Sequence, residues 1–234
     1  MSVRIQSLAV AALALFAACG PPPVTESRST TYADGTVWSE VELLEGEPHG
    51  SWNTYWPDGS PRSVETWNRG VLDGPFGSWF EDGTERIQGL YQDGRMQGRW
   101  VVRFPDGSMR SEDHWQNGQR HGVLRMWHAN GQLFTEDHYA LGKLDGSHRI
   151  YFEDGSVREA GELKAGERDG LWREFREDGT PVHALRFVDG RRRGTCYTWS
   201  PNGELNLDKS GVFREGRRLR GLRPAEIASA GQNL

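Results

Sequence analysis

Seven residues stand in step along the chain, each 24 residues after the last: Tyr55, Trp79, Arg103, Trp127, Tyr151, Phe175 and Trp199. All but Arg103 are aromatic. Flat rings in a row can stack on sugar rings or bury against a protein surface. A second series, Arg62, Arg86, Arg110 and Arg158, keeps the same step with one gap. Regularly spaced guanidinium groups could hold the anionic groups of lipid headgroups or acidic polysaccharide. The competing reading is local pairing with Glu65, Glu85, Glu112 and Glu159, a common fate of exposed arginines. Nothing comparable points to catalysis. The chain has no H-E-x-x-H, Cys-x-x-Cys, G-x-S-x-G or P-loop motif. His114 and His138 fall in one column of adjacent repeats, but two strand spacings, about 10 Å, are too far for two ligands of one zinc. The many carboxylates must include some pair at glycosidase distance by chance, so no acid–base pair stands out. The expectation is a non-enzyme with no cofactor and no metal site. A net charge of −5 gives no reason to expect a nucleic-acid partner.

Two cysteines exclude a disulfide scaffold. Cys19 closes the apolar run Leu8–Ala18, which begins soon after Arg4. The run is too short to span a bilayer and fits the apolar core of a signal peptide. Phe16-Ala17-Ala18-Cys19-Gly20 resembles a bacterial lipobox, cleaved before the cysteine so that its thiol can be acylated. Two or more acyl chains hold a protein firmly to a membrane. Gly20, where an aspartate would signal inner-membrane retention, leans towards the outer membrane. Residues 20–31 (GPPPVTESRSTT) read as an extended tether. Cys196 takes the place of an aromatic residue in its column and reads as a buried thiol.

What must position the two columns is a repeat. Asp-Gly or Asn-Gly pairs recur every 24 residues, with glycines at 35, 59, 83, 107, 131, 155, 179 and 203. A second glycine follows at Gly46 through Gly190 and a third at Gly50 through Gly194, in the same step. The eighth repeat breaks register at Gly216, as terminal repeats often do. Glycine at 30 of 234 residues, with 10 tryptophans and only 35% hydrophobic residues, argues against a helix bundle or a parallel α/β core. The aromatic and β-branched stretches between the glycines have strand length and leave no room for a helix. The expected fold is all-β: a single sheet of about eight 24-residue hairpins, elongated and twisted, with each Gly-x-x-x-Gly segment turning the chain into the next hairpin. The column Trp52, Phe76, Trp100, Leu124, His148, Trp172, Cys196 and the column Trp67, Tyr91, Trp115, Tyr139, Leu163, Phe187 are expected to pack between hairpins. The column from Tyr55 to Trp199 falls on the opposite face.

The pattern resembles the MORN-repeat superfamily, in the bacterial variant found in YwqK-family antitoxin-like proteins. The stretches that carry it are Gly50-Ser-Trp-Asn-Thr-Tyr-Trp-Pro-Asp-Gly59, Gly98-Arg-Trp-Val-Val-Arg-Phe-Pro-Asp-Gly107 and Gly170-Leu-Trp-Arg-Glu-Phe-Arg-Glu-Asp-Gly179, with His49-Gly50 and His121-Gly122 in the linking segment. The resemblance implies a binding or scaffolding module at a membrane, or a toxin-neutralising protein.

The chain thus divides into a signal peptide (1–18), a lipidated cysteine and tether (19–31), a hairpin-repeat domain (32–216) and a basic tail or cap (217–234). The tail region follows Arg191–Arg193 and carries Arg217, Arg218, Arg220 and Arg223. A short helix is expected from Pro224 to Ala230. The functional expectation is a non-catalytic, exported lipoprotein of the bacterial envelope that binds or scaffolds a protein partner. The alternatives are recognition of polysaccharide or anionic lipid by the aromatic and arginine columns, and an antitoxin or immunity role. The sheet's two ends also permit self-association.

On this reading, intact mass of the membrane fraction gives residues 19–234 plus a diacylglyceryl group, and Cys19→Ser abolishes both processing and modification. A soluble, unprocessed wild-type chain would refute the anchor.

Overall fold

The computed structural model describes residues 4–8 and 24–233. Cys19 and most of the expected signal peptide lie outside them.

Two kinds of tight turn alternate along the chain. At each Asp-Gly or Asn-Gly pair only the glycine has positive φ, for example 86° at Gly59. The Gly59 N–H donates to the Trp56 carbonyl at 2.9 Å. The Asp58 carboxylate accepts the Ser60 N–H and hydroxyl at 2.8 and 2.6 Å. This is a type I turn closed by a left-handed glycine. The second kind is a two-residue turn with both residues at positive φ, the I′ geometry that matches strand twist. It occurs at Glu45-Gly46, Arg69-Gly70, Asp93-Gly94, Asn117-Gly118, Leu141-Gly142, Ala165-Gly166, Asp189-Gly190 and Glu215-Gly216.

These turns correct the expected role of the Gly-x-x-x-Gly segment. The turn is confined to its first glycine and the residue before it. The later glycine sits within or at the start of a strand and marks a bulge. Leu43 pairs with Pro48 and Val41 with Trp52, so His49, Gly50 and Ser51 all oppose Glu42. A strand gains a bend there without losing its place in the sheet.

The residues group into two compact units, one reaching Met109 and including Trp115–Gly118, the other holding Arg110–His114 and the chain from Gln119 onward. The first contains β1 (Arg4–Leu8), β2 (Thr25–Thr31), β3 (Val37–Leu44), β4 (Glu47–Tyr55), β5 (Pro61–Asn68), β6 (Val71–Trp79), β7 (Glu85–Gln92) and β8 (Arg95–Arg103). Each pairs antiparallel with the next. β9 (Met109–Gln116) has residues in both units. The second unit continues with β10 (Gln119–Arg120), β11 (Gly122–Trp127), β12 (Leu133–Ala140), β13 (Lys143–Tyr151), β14 (Val157–Lys164), β15 (Glu167–Phe175) and β16 (Pro181–Val188). It ends with β17 (Arg191–Arg192), β18 (Gly194–Thr198), β19 (Gly211–Arg214), β20 (Arg217–Arg220) and the short helix α1 (Pro224–Ala228), with Pro224 in its first turn. Its strand pairs are antiparallel as well. The fold is all-β, hairpin after hairpin.

The array overruns both boundaries drawn from the turn spacing. β2 lies in the expected tether and pairs with β3 along its whole length, because Thr25–Thr31 stand 24 residues before His49–Tyr55 and complete a half-repeat. At the other end β20 lies beyond Gly216. The two-residue slip of the last repeat is absorbed between Leu205 and Ser210, and the Gly216 N–H still donates to Arg192, as Gly190 does to Arg168.

Trp100, Leu124, Trp172 and Cys196 of the first packing column are buried, and Trp52, Phe76 and His148 half-buried. At Trp100 and Trp172 the column packs closely because glycine stands beside it. A Cβ at Gly89 would lie 2.2 Å from the Trp100 indole, and one at Gly161 2.3 Å from that of Trp172. Phe76 stacks on Trp100 at 5.6 Å between centroids, and His148 on Trp172 at 5.3 Å. In each trio the ring from one strand lies flat over the bare glycine of the strand between.

Gly161→Ala therefore has no room for its methyl and should lower stability by about 1–3 kcal/mol in urea denaturation followed by tryptophan fluorescence. Leu141, held at φ 49° and 72% exposed, makes the opposite case. Leu141→Asn should raise stability by about 0.5–1 kcal/mol, since asparagine tolerates the left-handed region.

Candidate binding surface

Alternation along the strands sends Tyr55 and Trp79 away from the packing column. The Tyr55 hydroxyl donates to Glu40 at 3.1 Å. Burial, and then this carboxylate, raise its pKa. The Trp79 ring folds back over Gly77, whose missing Cβ leaves 3.0 Å to the indole. In the second unit Trp127, Tyr151 and Phe175 are half-buried, each at the end of its strand.

Trp199 departs from the expectation. It is buried at 8% exposure and packs with Ala184, Tyr197 and Ala230, flanked by Leu171, Leu205 and Leu222. Of these, Leu222 and Ala230 come from the segment after β20. Glu226 holds that segment in place: its carboxylate accepts both terminal nitrogens of Arg220, at 2.7 and 2.6 Å, and the Arg223 N–H at 2.7 Å. These bonds pull its pKa down to about 2. The Tyr197 hydroxyl donates to the Glu226 carbonyl at 3.1 Å. The tail is thus an ordered cap, and it removes Trp199 from any open surface.

The arginine column does not join the aromatic one. Arg62 lies over the Trp56 ring at 4.8 Å and Arg86 over Phe80 at 5.7 Å. These rings belong to a third column, Tyr32, Trp56, Phe80, Phe104, His128, Phe152, Arg176 and Ser200, that sequence reasoning passed over although it has the same step. Its polar members reach the Tyr55 column of the next repeat: Tyr32 Oη donates to the Tyr55 carbonyl at 2.9 Å and Arg176 to that of Trp199 at 3.3 Å, while His128 Nε2 lies 3.2 Å from that of Tyr151. Local pairing is not the pattern for three of the four glutamates either. Glu65 accepts from Trp67 Nε1, Glu85 pairs with Arg103 and Glu159 with Arg168. Arg110 and Arg158 are exposed.

The strand register also creates a row of charge on the strand face that carries Trp127. Arg125 stands opposite Glu112 and donates to Glu136 at 2.8 Å, and Arg149 approaches the same Glu136 at 3.5 Å. Two concavities accompany the face, one lined by Ser27, Ser29, Glu40, Glu42, Ser51 and Asn53, the other by Ser147, Arg149, Ala160, Glu162, Leu171 and Arg173. Both are shallow and open, suited to an extended surface more than to an enclosed small molecule.

His138 and Ser147 bond to one another at 2.9 Å, and His114 Nδ1 lies 3.3 Å from the Val123 carbonyl. Among the described residues no group of three His, Cys, Asp or Glu side chains could hold a metal ion. Cys196 is fully buried, its thiol pKa is raised by that burial, and its Sγ donates weakly to the Arg186 carbonyl.

The hairpins, turns and aromatic columns define a β-hairpin repeat protein. Residues 120–140, one such hairpin, match the family model described as the MORN repeat variant. Among curated proteins none matches the chain. That hairpin is similar to the MORN repeat, a repeat type that serves binding and scaffold roles.

The turn aspartates contribute to the acid sensitivity of this fold. Hydrogen bonds from the residue two ahead hold the carboxyls of Asp34, Asp58, Asp82, Asp106, Asp154 and Asp178 below their ordinary value. A depressed folded pKa contributes stability above the unfolded value of about 3.9, and that contribution disappears as pH falls through the folded values. Thermal melts should be flat in this respect from neutral pH to about 4 and fall below it. The combined Asp58→Asn and Asp154→Asn variant should show a shallower acid fall.

Proposed function

We propose that this chain is a MORN-repeat lipoprotein of the bacterial envelope, held through Cys19, that binds a protein partner on the face carrying Trp127, Tyr151 and Phe175. The observation behind this reading is what covers Trp199. A short segment of the chain itself, bearing Leu222 and Ala230, seats on Tyr197 and Trp199, which supports docking of an apolar peptide segment on the aromatic column of this face. Trp127, Tyr151 and Phe175 continue the column within the same unit and offer half-exposed rings, the residue types that anchor protein interfaces. A toxin acting in the envelope falls within the same partner class.

Recognition of acidic polysaccharide is the second reading. It draws on exposed Arg62 and Arg86, whose guanidinium groups lie flat over Trp56 and Phe80 and so present charge beside an aromatic ring.

Cross-linking and affinity capture from envelope extract separate the two. The protein reading expects a recurrent partner whose recovery falls at least about tenfold in Trp127→Ala with Tyr151→Ala, the loss of one interface anchor or more. Retention of that partner by the double variant, or glycan binding that requires Arg62 and Arg86, overturns it.

A further inference from the structure

Strand β2 has a neighbour on each side. β3 takes one side from Thr25↔Leu44 to Thr31↔Val37. β1 takes the other, from Arg4↔Thr31 to Leu8↔Ser27. β1 lies wholly within residues 1–18, the segment that lipoprotein processing removes; the inference rests on that reading. Removal of β1 leaves the outer N–H and C=O groups of Ser27–Thr31 without their strand, on an edge already shaped to receive an antiparallel one. Such an edge is ordinarily guarded by proline, lysine or an unbalanced charge. β2 has no proline and no lysine. Its two charges, Glu26 and Arg28, lie 3.6 Å apart and cancel.

We propose that the mature chain pairs with a second copy of itself through β2, antiparallel about a two-fold axis at Ser27, with Glu26 of each copy opposite Arg28 of the other. The charge pattern selects this register. Two copies that continue one sheet with matched faces must pair residues of the same parity, so the axis passes through a residue. With the axis at Glu26, carboxylate meets carboxylate. With the axis at Arg28, guanidinium meets guanidinium. With the axis at Ser27, both cross-strand pairs are of opposite sign, and Thr25 meets Ser29. Opposite charges facing across strands stabilise and like charges destabilise.

The anchor favours the same arrangement. Cys19 lies six residues before Thr25, a reach of about 20 Å when extended. In this register the two Thr25 residues are four strand positions apart, about 13 Å. Both lipids can therefore enter one membrane, and confinement there raises the local concentration of each edge for the other.

The test uses the exported full chain with Ser27→Cys. At the axis the two Cα atoms fall within the range a disulfide spans, and Cys196 is too buried to compete. Mild oxidation of membranes is expected to give a disulfide-linked dimer, absent from Thr31→Cys. Glu26→Arg alone or Arg28→Glu alone should reduce its yield at least about tenfold, since both pairs become repulsive, and the two together should restore it. A monomer throughout, or a dimer indifferent to these charges, overturns the proposal. If intact mass shows residues 1–18 retained, the processing reading fails separately. The chain starting at Gly20 then tests the edge alone by sedimentation, where a folded chain that stays monomeric to high micromolar concentration refutes it.

Discussion

Every feature of this protein depends on backbone that enters the left-handed region at fixed intervals. A strand can be followed by a tight antiparallel neighbour only if two central turn residues match the sheet's twist, and the I′ geometry asks both for positive φ. Glycine meets that demand once per turn. The residue before it is Glu, Arg, Asp, Asn, Leu or Ala, so each hairpin carries local strain that sheet pairing must offset. The bulge glycines add a further left-handed position per repeat, and the opposing side chain lies directly over several of them, as Thr66 over Gly74 and His138 over Gly146. A side chain at these sites would conflict with both the dihedral and the space.

A sheet with no second layer must find its apolar burial within itself. Here large rings lie along the sheet surface. Trp100 over Gly89 and Trp172 over Gly161 cover backbone that would otherwise be wet, and their neighbours Phe76 and His148 complete the stacks. Where the glycine is replaced by Asp137, the chemistry changes: Asp137 bonds to His148 and accepts the Thr135 hydroxyl. The packing face is therefore partly polar, which explains how a chain with 35% hydrophobic residues sustains so many strands. In the second unit the opposite face carries half-buried aromatics and alternating charge, and its last repeats are covered by the tail that Arg220 and Glu226 clamp down.

Much of this was legible in the order of residues. The 24-residue step, the hairpin class of the fold and the packing role of the Trp52 and Trp67 columns follow from glycine spacing and strand alternation, because both are short-range properties of the backbone. The displacement of the inter-hairpin turn was less visible, since Gly46 and Gly50 look alike in sequence and differ only in whether a strand neighbour lies opposite. Likewise Thr25–Thr31 read as tether from composition. Their place in the sheet comes from equivalence to His49–Tyr55, a relation of register and not of residue type.

The sequence alone determined that this protein is a repetitive all-β chain, because positive φ and period-two patterning leave few alternatives. Tertiary structure decided which side chains are open to a partner. Trp199 and Trp127 occupy equivalent places in the repeat, yet one is buried and the other is not, because the tail packs on one of them. Arg62 and Arg86 share the step of the aromatic column but lie over Trp56 and Phe80. Which ring a guanidinium reaches, and which repeat a tail covers, depend on contacts between residues distant along the chain, and no local pattern encodes them.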